Sequence, residues 1–317
     1  MTPKKKKKLY INLLKLFLSS LLIYFVVTKL DFNKLEKLLS NIDFAYIAIA
    51  LISILIAQIF GGYRMRYYYQ VAGMNFNAFY AVCFYFIGTM FNVVLPGGIG
   101  GDGYKAYYFQ KKFRFPWQQS ILATIRGRAS GLFFLILFLL VFAYFYQGHI
   151  NFPYIREIII LGLLLIFPAY SYSAKILLKE SLKVQLGATR FSFIVQLFYL
   201  VAILAILESF GGESVTSLLG YVVVFLIANI VAIIPISIGG LGIREFTYIT
   251  FAGIMNLDKD TGVAASFLFY IAYSTIALIG FLPYLFIEKL DNFQLKFFDY
   301  RKANNILEKE EEEKDEN

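Results

Sequence analysis

Residues 96–105 read Pro96-Gly97-Gly98-Ile99-Gly100-Gly101-Asp102-Gly103-Tyr104-Lys105, and residues 235–244 read Pro235-Ile236-Ser237-Ile238-Gly239-Gly240-Leu241-Gly242-Ile243-Arg244. Aligned on the proline, both are P-x-x-I-G-G-x-G-x-[K/R]. An apolar run precedes each copy, Phe79 to Leu95 and Leu218 to Ile234, with an asparagine near its end, Asn92 and Asn229. Proline breaks a helix, and adjacent glycines permit a sharp reversal and close approach of backbones. Each copy therefore predicts a helical hairpin: a long apolar arm, a kinked turn, and a shorter arm that starts at the glycines and carries the motif's closing cation near its beginning.

The surrounding composition decides the medium. The chain of 317 residues is 59% hydrophobic and 16% charged, far more apolar than soluble domains. Several runs approach the roughly 20 residues a membrane helix needs. The fold class that follows is an all-α polytopic membrane protein. Irregular backbone cannot face lipid, so two glycine turns within apolar sequence must be buried in protein or line a wet cavity.

Spans are expected over about Leu9–Val27, Phe44–Phe60, Trp117–Tyr146, Ile155–Tyr172, Phe191–Leu207 and Val263–Phe286. Gly61-Gly62 is read as the end of the second span, and Tyr67-Tyr68-Tyr69 as an aromatic belt at the headgroups. The first run follows the basic head Lys4–Lys8; without a small-x-small cleavage pattern it reads as a retained helix and not a signal peptide.

Lys and Arg placement orients the chain. If each hairpin enters and leaves on one side, Arg64, Arg66, Lys111, Lys112, Arg114, the Lys175–Arg190 segment and the basic stretch after the last span share the cytoplasmic side. A fully crossing first arm would put the Lys111–Arg114 cluster and Lys175–Arg190 outside. The positive-inside rule favours the former. The result is about six spanning helices plus two oppositely oriented re-entrant hairpins, an inverted repeat with halves about 44–146 and 191–286. Residues 1–302 form one membrane domain, with both termini cytoplasmic. The charged, mostly acidic residues 303–317 are expected to be a disordered tail.

Composition also excludes chemistry. One cysteine, Cys83, permits no internal disulfide and no Cys-cluster metal site. One histidine, His149, lies in a short polar stretch and reads as a loop residue. No catalytic residue, metal or cofactor is expected. The net charge of +9 follows membrane edges, so orientation and not nucleic acid explains it.

Six ionisable residues fall inside apolar sequence: Asp102, Lys105, Arg126, Arg128, Arg244 and Glu245. Such groups cost about 2.5–3.5 kcal/mol each on insertion scales. Arg126 and Arg128, two apart, should point about 200° apart on their helix, and at least one of them could serve as a structural bridge to Asp102 or Glu245. The set holds four cations and two anions. With two helix N-termini beginning at glycine turns, it favours an anion, best a phosphate. The candidate binding residues are Asn92, Gly100, Gly101, Asp102, Lys105, Arg126, Arg128, Asn229, Gly239, Gly240, Arg244 and Glu245.

At Asn92–Lys105, Arg126-Gly127-Arg128 and Pro235–Glu245 the chain resembles the flippase-like membrane domain of lysylphosphatidylglycerol synthases of the multiple-peptide-resistance-factor type, and the stand-alone proteins sharing it. The resemblance runs from about Leu9 to Lys289. Synthase members carry a soluble aminoacyl-transferase domain after the membrane part, where this chain has its acidic tail. The resemblance implies a stand-alone lipid translocase in the cell membrane and argues against lysyl transfer. The expected partner is a phospholipid or a polyprenyl-phosphate lipid. Competing readings are a non-transporting partner of a lipid-modifying enzyme, a membrane enzyme acting on lipid phosphates, and an ion-coupled solute transporter with Asp102 and Glu245 as proton carriers.

Overall fold

The structure, a computed structural model, describes residues 32–95, 100–146, 153–211, 214–233 and 242–295. Within these residues the chain forms twelve helices and no strand. They are α1 (Phe32–Ser40), α2 (Phe44–Val71), α3 (Ala78–Val94), α4 (Gly100–Phe113), α5 (Trp117–Tyr146), α6 (Ile155–Leu177), α7 (Leu182–Glu208), α8 (Val215–Val231), α9 (Ile243–Ile254), α10 (Lys259–Leu278), α11 (Phe281–Leu285) and α12 (Ile287–Leu295).

Five segments are long and apolar enough to cross a bilayer: α2, α5, α6, α7 and the continuous α10–α11. They match five of the six expected spans. The sixth, Leu9–Val27, lies outside the described residues, as do the turns at 96–99 and 234–241 and the acidic tail. Side-chain caps start many of these helices. Asp43, Asn77, Ser181, Ser214 and Asp258 each accept a backbone N–H from the first turn of α2, α3, α7, α8 and α10.

The packing repeats itself. α2 and α7 form the most extensive helix pair. Exchange α2 with α7, α3 with α8, α4 with α9 and α5 with α10, and the remaining contacts among these eight helices map onto one another. α3 packs on α2, α4 and α10, while α8 packs on α7, α9 and α5; α4 lies on α5 as α9 lies on α10. Each hairpin thus leans on a flanking helix of its own half and on one from the other half. α6, with only Ile159, Tyr170 and Ala174 buried, is peripheral.

Two expectations about α2 are corrected. Gly61-Gly62 does not end it: the helix continues to Val71. These glycines serve packing instead. A Cβ on Gly62 would lie 2.7 Å from the Val82 Cα, and one on Gly61 2.4 Å from the Tyr85 ring. Their absence of side chains brings α3 against α2. Consequently Tyr68 and Tyr69 are not a headgroup belt but fully buried, Tyr69 within an aromatic cluster with Phe76, Phe109 and Phe115. The fifth expected span likewise starts earlier than Phe191, because Ser181 caps α7 and starts it at Leu182.

A cation-rich cavity beside the first hairpin

α3 and α4 are held together at their tips. The Gly101 N–H donates to Asn92 Oδ1 at 2.8 Å, satisfying an orphan donor of the first turn of α4. Asp102 and Lys105 follow one turn apart. Lys105 is buried, and its Nζ lies 2.8 Å from Asp102 Oδ1. Gly88 on α3 makes room for it, since a Cβ there would stand 3.3 Å from the lysine stem. From α5, Arg128 donates Nε to Asp102 Oδ2 at 2.9 Å and adds a second bond from Nη2. One carboxylate therefore sits between two cations supplied by two elements.

These groups line a cavity of about 170 Å³ between α2, α3, α4, α5 and α10. Arg64 of α2 also lines it, and its Nη1 donates to Ser192 Oγ at 3.4 Å. No carboxylate pairs with Arg64 among the described residues. Arg64, Lys105 and Arg128 against Asp102 leave the wall with two net positive charges. Asn92, Thr89, Thr124 and the hydroxyls of Tyr69, Tyr85 and Tyr273 supply neutral polar groups. The Arg128 side chain is 44% exposed and Asp102 17%, so the opening lies on the Arg128 side.

The second copy approaches from the other half. Arg244 stands in the first turn of α9, and its Nε is buried without a hydrogen-bond partner among the described residues. Tyr273, on the cavity wall, lies within electrostatic reach of Arg244 as well as Arg128 and Asp102. Asn229 donates Nδ2 to the Phe225 carbonyl one turn back at 2.8 Å. Gly239 and Gly240 lie outside the described residues, and Gly100 packs at the tip against Leu95.

Two expected site residues go elsewhere. Arg126 points away from the cavity, as its two-residue spacing from Arg128 requires. It donates Nε and Nη2 to the Leu178 carbonyl, at 3.2 and 2.6 Å, and lies 3.6 Å from Glu180. A cation there complements the C-terminus of α6. Glu245 accepts the Gly242 N–H at 2.8 Å and the Ser266 hydroxyl at 2.9 Å. Both its oxygens are thereby engaged, one in capping α9 at a glycine whose φ is +84°.

Reading Gly61-Gly62 as a helix end puts Arg64 outside the second span and hides it as a site residue. The signal was there: no breaker follows until Ala72-Gly73, so Arg64 falls inside a 28-residue helix. Tyr273 gave no comparable signal in its apolar run.

Fold and site together define a multi-pass helical membrane protein with an internal cavity lined by three cations and one carboxylate. The chain belongs to the lysylphosphatidylglycerol synthase TM region family, whose model matches residues 12–179. The match covers the first hairpin, α2, α5 and α6, and ends in the α6–α7 connection; the second hairpin lies beyond it. No curated protein matches the chain. Membership in this family makes it a membrane protein related to lipid handling.

Proposed function

We propose that this protein is a lipid translocase that takes the anionic headgroup of a phospholipid or a polyprenyl-phosphate lipid into the cavity beside Asp102. The observation that carries the reading is the net positive wall formed by Arg64, Lys105 and Arg128 around a single carboxylate. Three cations in apolar surroundings are costly to hold, and a phosphate offers them acceptor oxygens in the geometry arginine prefers. The cavity is smaller than the roughly 300 Å³ of a typical ligand pocket. It fits a headgroup, with the acyl or prenyl chains left in the bilayer.

In this reading α3–α4 and α8–α9 are re-entrant hairpins. At 17 residues each, α3 and α8 are about 25 Å long, short of the roughly 30 Å hydrocarbon core. The exchange symmetry of the packing suits two halves that present the site to the two leaflets in turn. Both termini are assigned to the cytoplasm of a plasma-membrane protein by the Lys and Arg distribution. The role is transport and not catalysis.

The test uses the purified full chain in proteoliposomes containing acyl-labelled phosphatidylglycerol, with an impermeant quencher reporting the outer leaflet. Label should become fully quenchable with the protein present, and an Arg64→Ala/Arg128→Ala variant should slow this at least about tenfold, the effect of roughly 1.4 kcal/mol or more. Equal rates in protein-free vesicles, or an unaffected double variant, would sink the reading.

A further inference from the structure

A second polar cluster lies on the other face of α5. Glu180, between α6 and α7, is buried, and neither carboxylate oxygen has a hydrogen-bond partner among the described residues. Its one ion-pair neighbour there is Arg126, at 3.6 Å, beyond hydrogen-bond distance. The Tyr68 hydroxyl from α2, the Tyr170 hydroxyl from α6 and Gln185 Oε1 from α7 are also buried and make no hydrogen bond of good geometry among the described residues. The two hydroxyls face each other, and both lie in the electrostatic field of Glu180. Buried polar groups are ordinarily paired. Three side chains left open around one carboxylate mark a place built for something small and polar.

The cluster is joined to the cavity. Tyr68 faces Ser130; Ser130 accepts from Ser192 Oγ at 2.9 Å; and Ser192 accepts from Arg64 on the cavity wall. Tyr68 also borders Gly127, another wall residue. The polar line Arg64–Ser192–Ser130–Tyr68–Tyr170–Glu180 thus runs from the cationic cavity to the α6–α7 connection.

We propose that Glu180 is a protonation site whose occupancy is linked to anion binding in the cavity. One proton adds to a carboxylate oxygen and converts the group from −1 to neutral. Arg126 then keeps the Leu178 carbonyl and loses its counter-charge, and the neutral acid gains an O–H that the open tyrosine and glutamine oxygens can accept. The charged and titratable groups facing Glu180 are Arg126 from α5, Tyr68 from α2 and Tyr170 from α6, and Arg64 of α2 acts on the two tyrosines. Burial pushes the Glu180 carboxyl up to about 7, with Arg126 pulling it back, which places the change in the neutral range. An anion among Arg64, Lys105 and Arg128 cancels part of the positive field along the line and favours the protonated acid. By reciprocity, proton binding favours the anion.

The linkage to the cavity rests on the anion-binding part of the proposed function, but its test needs no transport. The full chain in lipid nanodiscs is titrated from about pH 5 to about pH 9, the span that brackets a neutral transition, with infrared difference spectra recording the protonated-carboxyl band. A band that appears as pH falls through neutrality and is missing in Glu180→Gln is expected. Adding glycerol 3-phosphate should move its midpoint to higher pH, and Arg64→Ala/Arg128→Ala should abolish that movement. A wild-type spectrum without a neutral-range carboxyl band overturns the assignment whether or not any variant folds. A band indifferent to glycerol 3-phosphate overturns the linkage. Failure of lipid to cross in proteoliposomes would instead strike the translocase reading alone.

Discussion

Gly101 rests directly on Gly88: a Cβ on Gly101 would stand 1.8 Å from the Gly88 carbonyl oxygen and 2.9 Å from its Cα. The arms of the first hairpin meet there backbone to backbone, with the buried Lys105 side chain passing Gly88 on one side and the Asn92 cap on the other. Any side chain at 101 must push the arms apart.

Gly101→Ala is therefore expected to destabilise the protein despite alanine's helix propensity, by about 1–3 kcal/mol as overpacking commonly does. Gly103, two residues on in the same helix, is exposed and has nothing within 4 Å of a new Cβ. Gly103→Ala should stabilise by up to about 1 kcal/mol. Thermal unfolding of the two variants in detergent should shift in opposite directions.

The last helix among the described residues, α12, is tied to the same hairpin. Asp291, fully buried, accepts from Tyr80 Oη at 3.0 Å and Tyr108 Oη at 2.6 Å, and pairs with Lys112 at 3.2 Å. Gln294 bonds the Asn77 N–H and the Asn75 carbonyl at the entry to α3. Asp291→Ala leaves the buried Tyr80 hydroxyl without its acceptor, and should cost about 2–4 kcal/mol. Limited proteolysis should then release α12 before the spans are cut.

Much of this fold could be read from the chain because membrane helices are declared by apolar length. The doubled glycine motif marks the helix pairs α3–α4 and α8–α9 and carries Asp102 and Lys105, while Arg128 stands out separately as a charge inside an apolar run. What the sequence hid was tertiary choice. Gly61-Gly62 permits either a break or close packing, and only the neighbouring Val82 and Tyr85 decide for packing. Arg126 and Arg128 are chemically alike, yet the helix turn between them sends one to the α6 C-terminus and the other to Asp102. Glu245 looks like a membrane-embedded acid and is a helix cap, a role that depends on Gly242 and Ser266.

Glu180 makes stability depend on pH in a direction opposite to most carboxylates. Its folded-state value, about 7, is raised above the ordinary 4.5. Between these values the folded state holds the proton that the unfolded state has released, so stability falls as pH rises from about 4.5 to about 7 and levels off above. Thermal unfolding midpoints of wild type should fall across that window more than those of Glu180→Gln. Parallel profiles would show that the carboxylate does not titrate there.

The most direct measurement is native mass spectrometry of the purified protein equilibrated with equal amounts of phosphatidylglycerol and phosphatidylcholine. If Arg64, Lys105 and Arg128 hold an anionic headgroup, wild type retains phosphatidylglycerol preferentially, and the preference disappears in Arg64→Ala/Arg128→Ala. The same preference in both proteins, or none in either, would contradict an anion site in this cavity.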